Sequence, residues 1–356
     1  MSPHDIDNSQ RPKAPAHRPC LQIRFARAVA VAAGASLLLG SVITPAQAAA
    51  PDRPGPQPKD PPPSELIFVH GYGSAATGKT CNKDREVDGT TQEGTWANAL
   101  EYYEKHGDMA RSSMTTVGYY EGDVNCDETI GQFTNEAPIQ DIAKELAIFI
   151  DSRDDQRPVN VVAHSMGGLV TRVALLGAAH GWWPEEVGKH ELNVSNVVTL
   201  STPHQGLTEE RYENEENKTR QWRQMKPAMD EEPESEFLQR LHLPHRALSE
   251  DWAADTDWSF VGSDGDDTVG YESGIDEGRH ADQKYRYTPT LDTCDGEPTD
   301  SSPGHKRVRT DRFGEHCLSY WHASPDHDPH ETAIGWSPLK TAFQAVTHND
   351  GDGLPR

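Results

Sequence analysis

Short runs of consecutive apolar residues recur along the chain, and they predict buried β-strands. Runs without polar alternation are typical of central strands in a parallel sheet, because such strands are covered on both faces. Strands are predicted at residues 65–69, 114–120, 158–163, 194–200 and 258–261, with a weaker candidate at 307–313.

Between these runs, apolar residues return at helical spacing. Residues 139–150 carry them at i, i+3, i+4 and i+7, the pattern of an amphipathic helix. Strands separated by helices predict an α/β fold, with a mostly parallel central sheet and helices on both faces. Further helices are predicted at residues 96–106, 167–176 and 336–346.

One long segment breaks this alternation. Residues 209–236 are crowded with charge and nearly free of aliphatic side chains, which predicts a solvated excursion. We assign the excursion to residues 209–250 of a single domain that covers residues 64–350. The sequence leaves open whether this excursion forms a lid.

The amino terminus has the pattern of an export signal. An apolar stretch at residues 26–43 follows a basic segment and ends near Ala46-Gln47-Ala48, a cleavage pattern with small residues at both recognition positions. We therefore predict a secretory signal peptide at residues 1–48, a proline-rich linker at 49–63 and an extracellular location. An uncleaved membrane anchor is the alternative, which Gly34 and Gly40 within the apolar run disfavour.

Composition narrows the partners. The chain has 356 residues, with 33 Lys and Arg against 57 Asp and Glu, giving a net charge of -24. This acidic excess repels phosphate backbones, so nucleic acid is excluded as a partner. A mean hydropathy of -0.76 excludes a protein that crosses the membrane many times.

The cysteines agree with export. Cys20 leaves with the signal, and four cysteines remain. An oxidising compartment favours two disulfides. We expect Cys81–Cys126 and Cys294–Cys317, because each pair lies within one half of the chain. Zinc is the alternative, but the cysteine and histidine spacing does not support it.

A serine lies where a strand passes into a helix. In Ala163-His164-Ser165-Met166-Gly167 the small residues two before and two after the serine permit a tight turn that projects its hydroxyl above the sheet. The helix start behind it supplies a positive dipole. Ser165 is the predicted nucleophile, and the alternative is a serine in an ordinary turn.

Two backbone N–H groups are candidates for binding an oxyanion. The N–H of Met166 follows the nucleophile directly, and the N–H of Tyr72 belongs to the turn after the first strand. Gly71 and Gly73 would let that turn approach a substrate closely.

Three segments together resemble a known family. Residues 67–73 (IFVHGYG), 161–169 (VVAHSMGGL) and 197–204 (VVTLSTPH) are similar to those of the α/β-hydrolase fold, in particular bacterial secreted lipases and esterases. They occur in that family's order and span about half of the mature chain. Ala163 departs from the family's glycine at the first position of the elbow. The resemblance implies a serine–acid–histidine triad in which the acid and the histidine follow residue 200.

The resemblance also suggests the acid. Residues 262–269 follow the predicted strand at 258–261 and resemble the family's G-D-x-T-V form, which implies Asp266 as the triad member. Asp267 and Asp264 are alternatives. A calcium-binding or solvated acidic loop is another interpretation, although no bidentate glutamate follows at the spacing such a loop needs.

The histidine is predicted from its place before the last helix. If residues 307–313 form the last strand, His316 follows it closely, and His330 and His322 are the alternatives. The cluster at residues 326–331 could instead bind a metal, although its spacing fits no standard site. His70, His164 and His204 are assigned packing or loop-orienting roles.

These residues predict a secreted serine hydrolase that cleaves carboxylic esters as a lipase or carboxylesterase, without a cofactor or metal. The expected partner is an ester or lipid substrate, and the expected state is a monomer; transient contact with a lipid interface stays open. Alternatives are a polyester depolymerase, an amidase or peptidase-like hydrolase, and a non-catalytic binding protein. Acyl chain length is undetermined by the sequence.

Overall fold

A computed structural model describes residues 64–73, 78–153, 157–188, 191–230, 232–289, 294, 302–322 and 329–347. All of them belong to one compact unit, Lys59–Arg356. The predicted signal peptide and linker (1–63) and His327 lie outside the described residues. Across the described ranges, none of the helices has the length and apolarity needed to span a bilayer.

A single large sheet organises the domain. In the described ranges it contains nine strands in the order β11-β10-β9-β8-β7-β6-β1-β4-β5, and β2 and β3 form a separate hairpin. All neighbours from β9 to β5 are parallel, whereas β10 pairs antiparallel with both β9 and β11. The strands are β1 (Leu66–Val69), β2 (Arg85–Val87), β3 (Thr90–Gln92), β4 (Met114–Tyr120), β5 (Glu128–Phe133), β6 (Val159–His164), β7 (Val194–Leu200), β8 (Asp257–Ser263), β9 (Gln283–Tyr287), β10 (His316–His322) and β11 (His330–Gly335).

Helices cover both faces of the sheet. On β1, Ile67 and Val69 pack into the core on one face, beside α2 and α3, whereas Leu66 and Phe68 pack on the other, beside α1 and α8. A strand buried on both faces cannot alternate in polarity, which is why β1 is an uninterrupted apolar run. The mostly parallel α/β architecture predicted from the sequence is confirmed. The helices are α1 (Ala97–His106), α2 (Ile139–Asp151), α3 (Met166–Ala179), α4 (Glu209–Glu213), α5 (Arg220–Gln224), α6 (Glu236–Leu241), α7 (Tyr271–Gly274) and α8 (Pro338–Thr347).

The predicted strand at residues 307–313 is wrong. Arg307–Arg309 forms a short 3-10 turn that buries Val308 and Arg309. The strand that continues the parallel sheet is instead β9, whose sequence QKYRY looks half polar. Lys284 is nonetheless buried, because its Nζ donates to the backbone oxygens of Asp276 and Arg279.

The charged segment at 209–236 differs from the solvated excursion that was expected. Its few large apolar side chains are buried in the same core as α2 and α3. These side chains are Tyr212, Trp222 and Met225, and charged residues occupy the outer surface between them. The segment therefore consists of amphipathic turns that pack against the domain, and these turns are too short to give a periodic pattern of apolar residues in the sequence.

Both predicted disulfides are confirmed. Cys81–Cys126 joins the loop after β1 to the connection between β4 and β5. Cys294–Cys317 joins the long loop after β9 to the start of β10. Each bond closes a loop of the chain and so restrains the unfolded state.

Candidate active site

Ser165 lies on a sharp turn between β6 and α3. Its φ of 55° and ψ of -133° are costly for a residue with a side chain, by about 1–3 kcal/mol. The turn is held on both sides: the Ser165 N–H donates to Leu200 O, and Thr202 Oγ1 donates to Ser165 O, each at 2.9 Å. A β-carbon at Gly167 would lie 2.4 Å from two backbone oxygens after β1, so only glycine permits α3 to start this close. Strain of this kind is characteristic of nucleophile elbows.

Asp266 follows the carboxyl end of β8 and is buried. Its Oδ1 accepts hydrogen bonds from the backbone N–H groups of Thr268 and Val269, both at 2.9 Å. Its Oδ2 lies 2.8 Å from Nδ1 of His305. The two backbone donors fix the carboxylate so that one oxygen faces the imidazole.

His305 was missed by the sequence analysis. It lies between β9 and β10, and with Ser165 it lines a cavity of about 230 Å³. When Nδ1–H donates to Asp266, Nε2 is the basic nitrogen of the neutral ring. Gly304 directly precedes His305, and Gly314 lies two residues before His316. A glycine that could make a bend therefore precedes each histidine, and the local sequence does not distinguish them.

His164 holds the backbone of His305 in place. Its Nε2 donates to His305 O at 2.9 Å, and the two ring centroids are 4.7 Å apart. Burial, followed by the nearby His305 and Arg309, holds the pKa of His164 well below its usual range. His164 is therefore neutral and acts as a hydrogen-bond donor, in agreement with the packing role assigned to it.

The structure does not bring His316 to Ser165. His316 begins β10, buried, with Nε2 3.4 Å from Phe313 O. His322 ends the same strand, and His330 begins β11. Three strands separate β10 from β6, an offset of about 19 Å at ~4.8 Å per strand. The choice of His316 followed from taking residues 307–313 as the last strand.

The loop that carries Tyr72 is held by a buried pair, His70 and Asp123. His70 Nδ1 donates to Gly71 O, and its Nε2 donates to Asp123 Oδ2, both at 2.8 Å. Burial alone would raise the pKa of Asp123, but His70 and backbone N–H groups hold that pKa below its usual value. Both ring nitrogens face acceptor oxygens, so His70 links the Gly71 carbonyl to the Asp123 carboxylate.

This arrangement orients the peptide between Gly71 and Tyr72. Gly71 O also accepts a hydrogen bond from the Tyr119 hydroxyl at 3.0 Å. In a trans peptide the N–H points opposite to the carbonyl, so the Tyr72 N–H points away from His70 and Tyr119. A β-carbon at Gly71 would be 2.6 Å from Cβ of Ser165, which puts this loop directly against the serine. Met166, the other predicted donor, is the first residue of α3.

The cavity has walls of different character. Leu207, Trp222 and Met225 form an apolar wall, contributed by the segment after β7.

The other predicted acids lie apart from His305: Asp264 is bound through both oxygens to Arg286, and Asp267 is exposed. In the described residues no cluster of three or more His, Cys, Asp or Glu side chains has the arrangement of a metal site.

Comparison with known proteins places these features in a family context. Residues 89–259 match the family model described as a PGAP1-like alpha/beta domain. The protein SERAC1 of Danio rerio is 28% identical over 155 residues, or 40% of this chain and 22% of that protein. The chain thus spans about a fifth of that relative's length.

Solved structures with detectable likeness have low identity. Mature Bacillus licheniformis lipase BlEst2 is 18% identical, covering 58% of this chain and 69% of its own, with a TM-score of 0.35. Aspergillus fumigatus lipase B is 16% identical over 62% and 42%, with a TM-score of 0.36. The lin2722 gene product of Listeria innocua is 12% identical over 82% and 96%, with a TM-score of 0.40.

The fold expected from the sequence resemblance is confirmed, and the likeness to secreted bacterial enzymes stays a prediction. A parallel sheet with a strained serine elbow after β6, and an acid after β8, is the arrangement that this fold uses. Strand order, elbow and family match lead to one conclusion: this chain has the α/β-hydrolase fold.

Proposed function

We propose that this protein is a secreted serine hydrolase that cleaves carboxylic esters, with Ser165 as nucleophile, His305 as base and Asp266 as the orienting acid. One observation carries the proposal. The hydrogen bond between Asp266 Oδ2 and His305 Nδ1 leaves Nε2 as the basic nitrogen of a ring that shares a cavity with the strained serine. The two disulfides support export, because such bonds persist in oxidising compartments.

The chemistry follows from these positions. His305 Nε2 removes the Ser165 hydroxyl proton as Oγ attacks the ester carbonyl, which forms a tetrahedral oxyanion. The oxyanion collapses, the bond to the alcohol breaks, and His305 returns the proton to the leaving alkoxide. Water, deprotonated by the same imidazole, then hydrolyses the acyl-enzyme, and Ser165 recovers its proton.

Two backbone donors would stabilise the oxyanion, the N–H groups of Met166 and Tyr72. Met166 opens the 14-residue helix α3, whose dipole adds positive potential at this end. An oxyanion donor of this kind contributes about 3–4 kcal/mol to the transition state. The hydrogen bonds to Gly71 O polarise the following peptide and should strengthen the donor at Tyr72.

The apolar wall supports an acyl group rather than a peptide backbone as the bound moiety. Leu207, Trp222 and Met225 are buried and offer few polar partners. Each buried methylene contributes about 0.8 kcal/mol to binding until the cavity is full. With only about 230 Å³ available, we expect short and medium acyl chains to be favoured over long ones.

The test is the initial rate of hydrolysis of p-nitrophenyl esters from two to sixteen carbons. Ser165→Ala and His305→Gln should each reduce kcat by at least 10⁴-fold, as expected when one member of a nucleophile–base pair is removed. His316→Gln is the matched control, and it should keep the wild-type rate. Full activity in His305→Gln, or loss of activity in His316→Gln alone, would contradict the assignment.

A further inference from the structure

Four cationic side chains line the serine cavity, and one of them, Arg211, is paired with Glu215. Lys79, Lys306 and Arg309 line the cavity of Ser165, and with Thr95 they also line an adjoining cavity of about 410 Å³. The other three cations are Lys79, in the loop after β1, Lys306, which precedes the 3-10 turn after His305, and Arg309, which ends that turn. The two cavities therefore share a wall of three cations, and Glu93 is the acid that lines the adjoining cavity.

Within the described part of the chain, none of these three cations forms an ion pair. Arg309 is 6% exposed and donates to Thr95 O rather than to a carboxylate. Asp123, the acid near Lys79, is already paired with His70. By contrast, the buried guanidinium of Arg172 is paired with Asp276.

Lys79 is repelled by the other two cations. Burial, followed by the charges of Arg309 and Lys306, lowers the pKa of Lys79 to about 8. Burial lowers the pKa of Arg309 to about 10. In a chain with a net charge of -24, grouping unpaired cations beside a nucleophile costs stability, and a bound anion would offset that cost.

We propose that Lys79, Lys306 and Arg309 form a subsite for a phosphate group, so that the preferred substrate is an acyl ester whose alcohol carries a phosphate. The proposal rests on the proposed ester hydrolysis and names its substrate class. The acyl group would occupy the apolar wall at residues 207–225, and the charged alcohol would face the cations. Two lysines and a guanidinium supply more charge and more donors than a carboxylate can use, and these suit a phosphate.

Binding can be measured without catalysis. In Ser165→Ala protein, calorimetric titration with glycerol 3-phosphate should give binding, and titration with glycerol should give none. Lys306→Met should weaken the binding of glycerol 3-phosphate at least tenfold. Lys306 is exposed, so this substitution should leave the fold intact. Lys105→Met, on the exposed face of α1, is the matched control and should bind as before.

Kinetics then test the substrate class. Wild-type kcat/KM for 1-butyrylglycerol 3-phosphate should exceed that for 1-butyrylglycerol at least tenfold, and Lys306→Met should reduce this ratio toward one. Lys105→Met should keep the wild-type ratio. Dihexanoyl phosphatidic acid shows whether the phosphate belongs to a lipid or to a small soluble ester. A faster rate on its micelles than on 1-butyrylglycerol 3-phosphate indicates a lipid substrate. A faster rate on 1-butyrylglycerol 3-phosphate indicates a small phosphate ester. Either result supports the subsite.

The two proposals fail in different ways. Equal rates on the charged and neutral esters, with no binding of glycerol 3-phosphate, would overturn the phosphate subsite and leave ester hydrolysis standing. Serine-independent rates on every ester, with glycerol 3-phosphate still bound in a Lys306-dependent manner, would overturn the proposed hydrolysis and leave the subsite.

Discussion

Replacing Asp266 with asparagine should reverse the proton arrangement of His305. In the wild type, Oδ1 of Asp266 accepts two backbone hydrogen bonds, and Oδ2 faces Nδ1 of the imidazole. An asparagine would keep its oxygen toward the two backbone donors, because an amide nitrogen there would face two N–H groups. Its NH₂ would then donate to Nδ1, and the proton of the neutral ring would move to Nε2.

This tautomer cannot accept the serine proton. The equivalent substitution in a serine protease triad lowers kcat about 10⁴-fold, or about 5.4 kcal/mol at ~1.36 kcal/mol per decade. We expect a loss of that size in Asp266→Asn. Folding should change by no more than about 1 kcal/mol, since every buried donor keeps an acceptor.

The assay is kcat on p-nitrophenyl butyrate, with urea unfolding measured in parallel. Asp267→Asn is the control, because Asp267 is exposed and its carboxylate accepts a hydrogen bond from the Thr268 hydroxyl rather than facing His305. The control should stay within twofold of wild type. If Asp266→Asn kept kcat within tenfold while its fold was intact, the proposed role of the His305 tautomer would be refuted.

Three further changes test the surroundings. Gly71→Ala puts a methyl group 2.6 Å from Cβ of Ser165 and should lower kcat/KM at least 100-fold, with little change in Tm; an active variant would show that the loop can move aside. Asp276→Asn leaves the buried guanidinium of Arg172 uncompensated and should cost about 3–5 kcal/mol in urea unfolding. The folded-state pKa of Asp276 is depressed, so the stabilisation is present at neutral pH and is lost as the pH falls below about 4. In Asp276→Asn the free energy of unfolding should therefore depend less on pH in this acidic range. Asp123→Asn weakens the His70–Asp123 pair behind the loop that carries Tyr72 and should lower kcat about tenfold or more with KM nearly unchanged; an unchanged kcat would show that this pair does not affect the proposed chemistry.

The elements with the clearest local signal were predicted closely. The strands at 114–120 and 194–200 have the predicted bounds, and α2 differs by one residue at its end. These segments are buried on both faces, or along one stripe, so their own residues determine their structure. The disulfide pairing was also accessible, because each pair joins loops that are near in the chain.

The histidine was not accessible in the same way. His305 and His316 both follow a glycine within two residues and both lie in polar sequence. What distinguishes the two histidines is their position relative to the sheet. His305 follows β9, which pairs in parallel with β8, the strand before Asp266, whereas His316 belongs to β10, which pairs antiparallel with β9 one strand further out. The half-polar sequence of β9 concealed this, since Lys284 is buried and its charge is satisfied by the backbone oxygens of Asp276 and Arg279.

The α/β class and the strand–serine–helix turn could be predicted from the sequence, because each depends on residues that are near one another in the chain. The tertiary structure was needed to show which histidine meets Asp266, and to show that Lys79, Lys306 and Arg309 come to the serine cavity from two distant loops. These arrangements depend on which strand ends lie side by side. Strand order is a property of the whole packed sheet, so no local pattern of residues carries it.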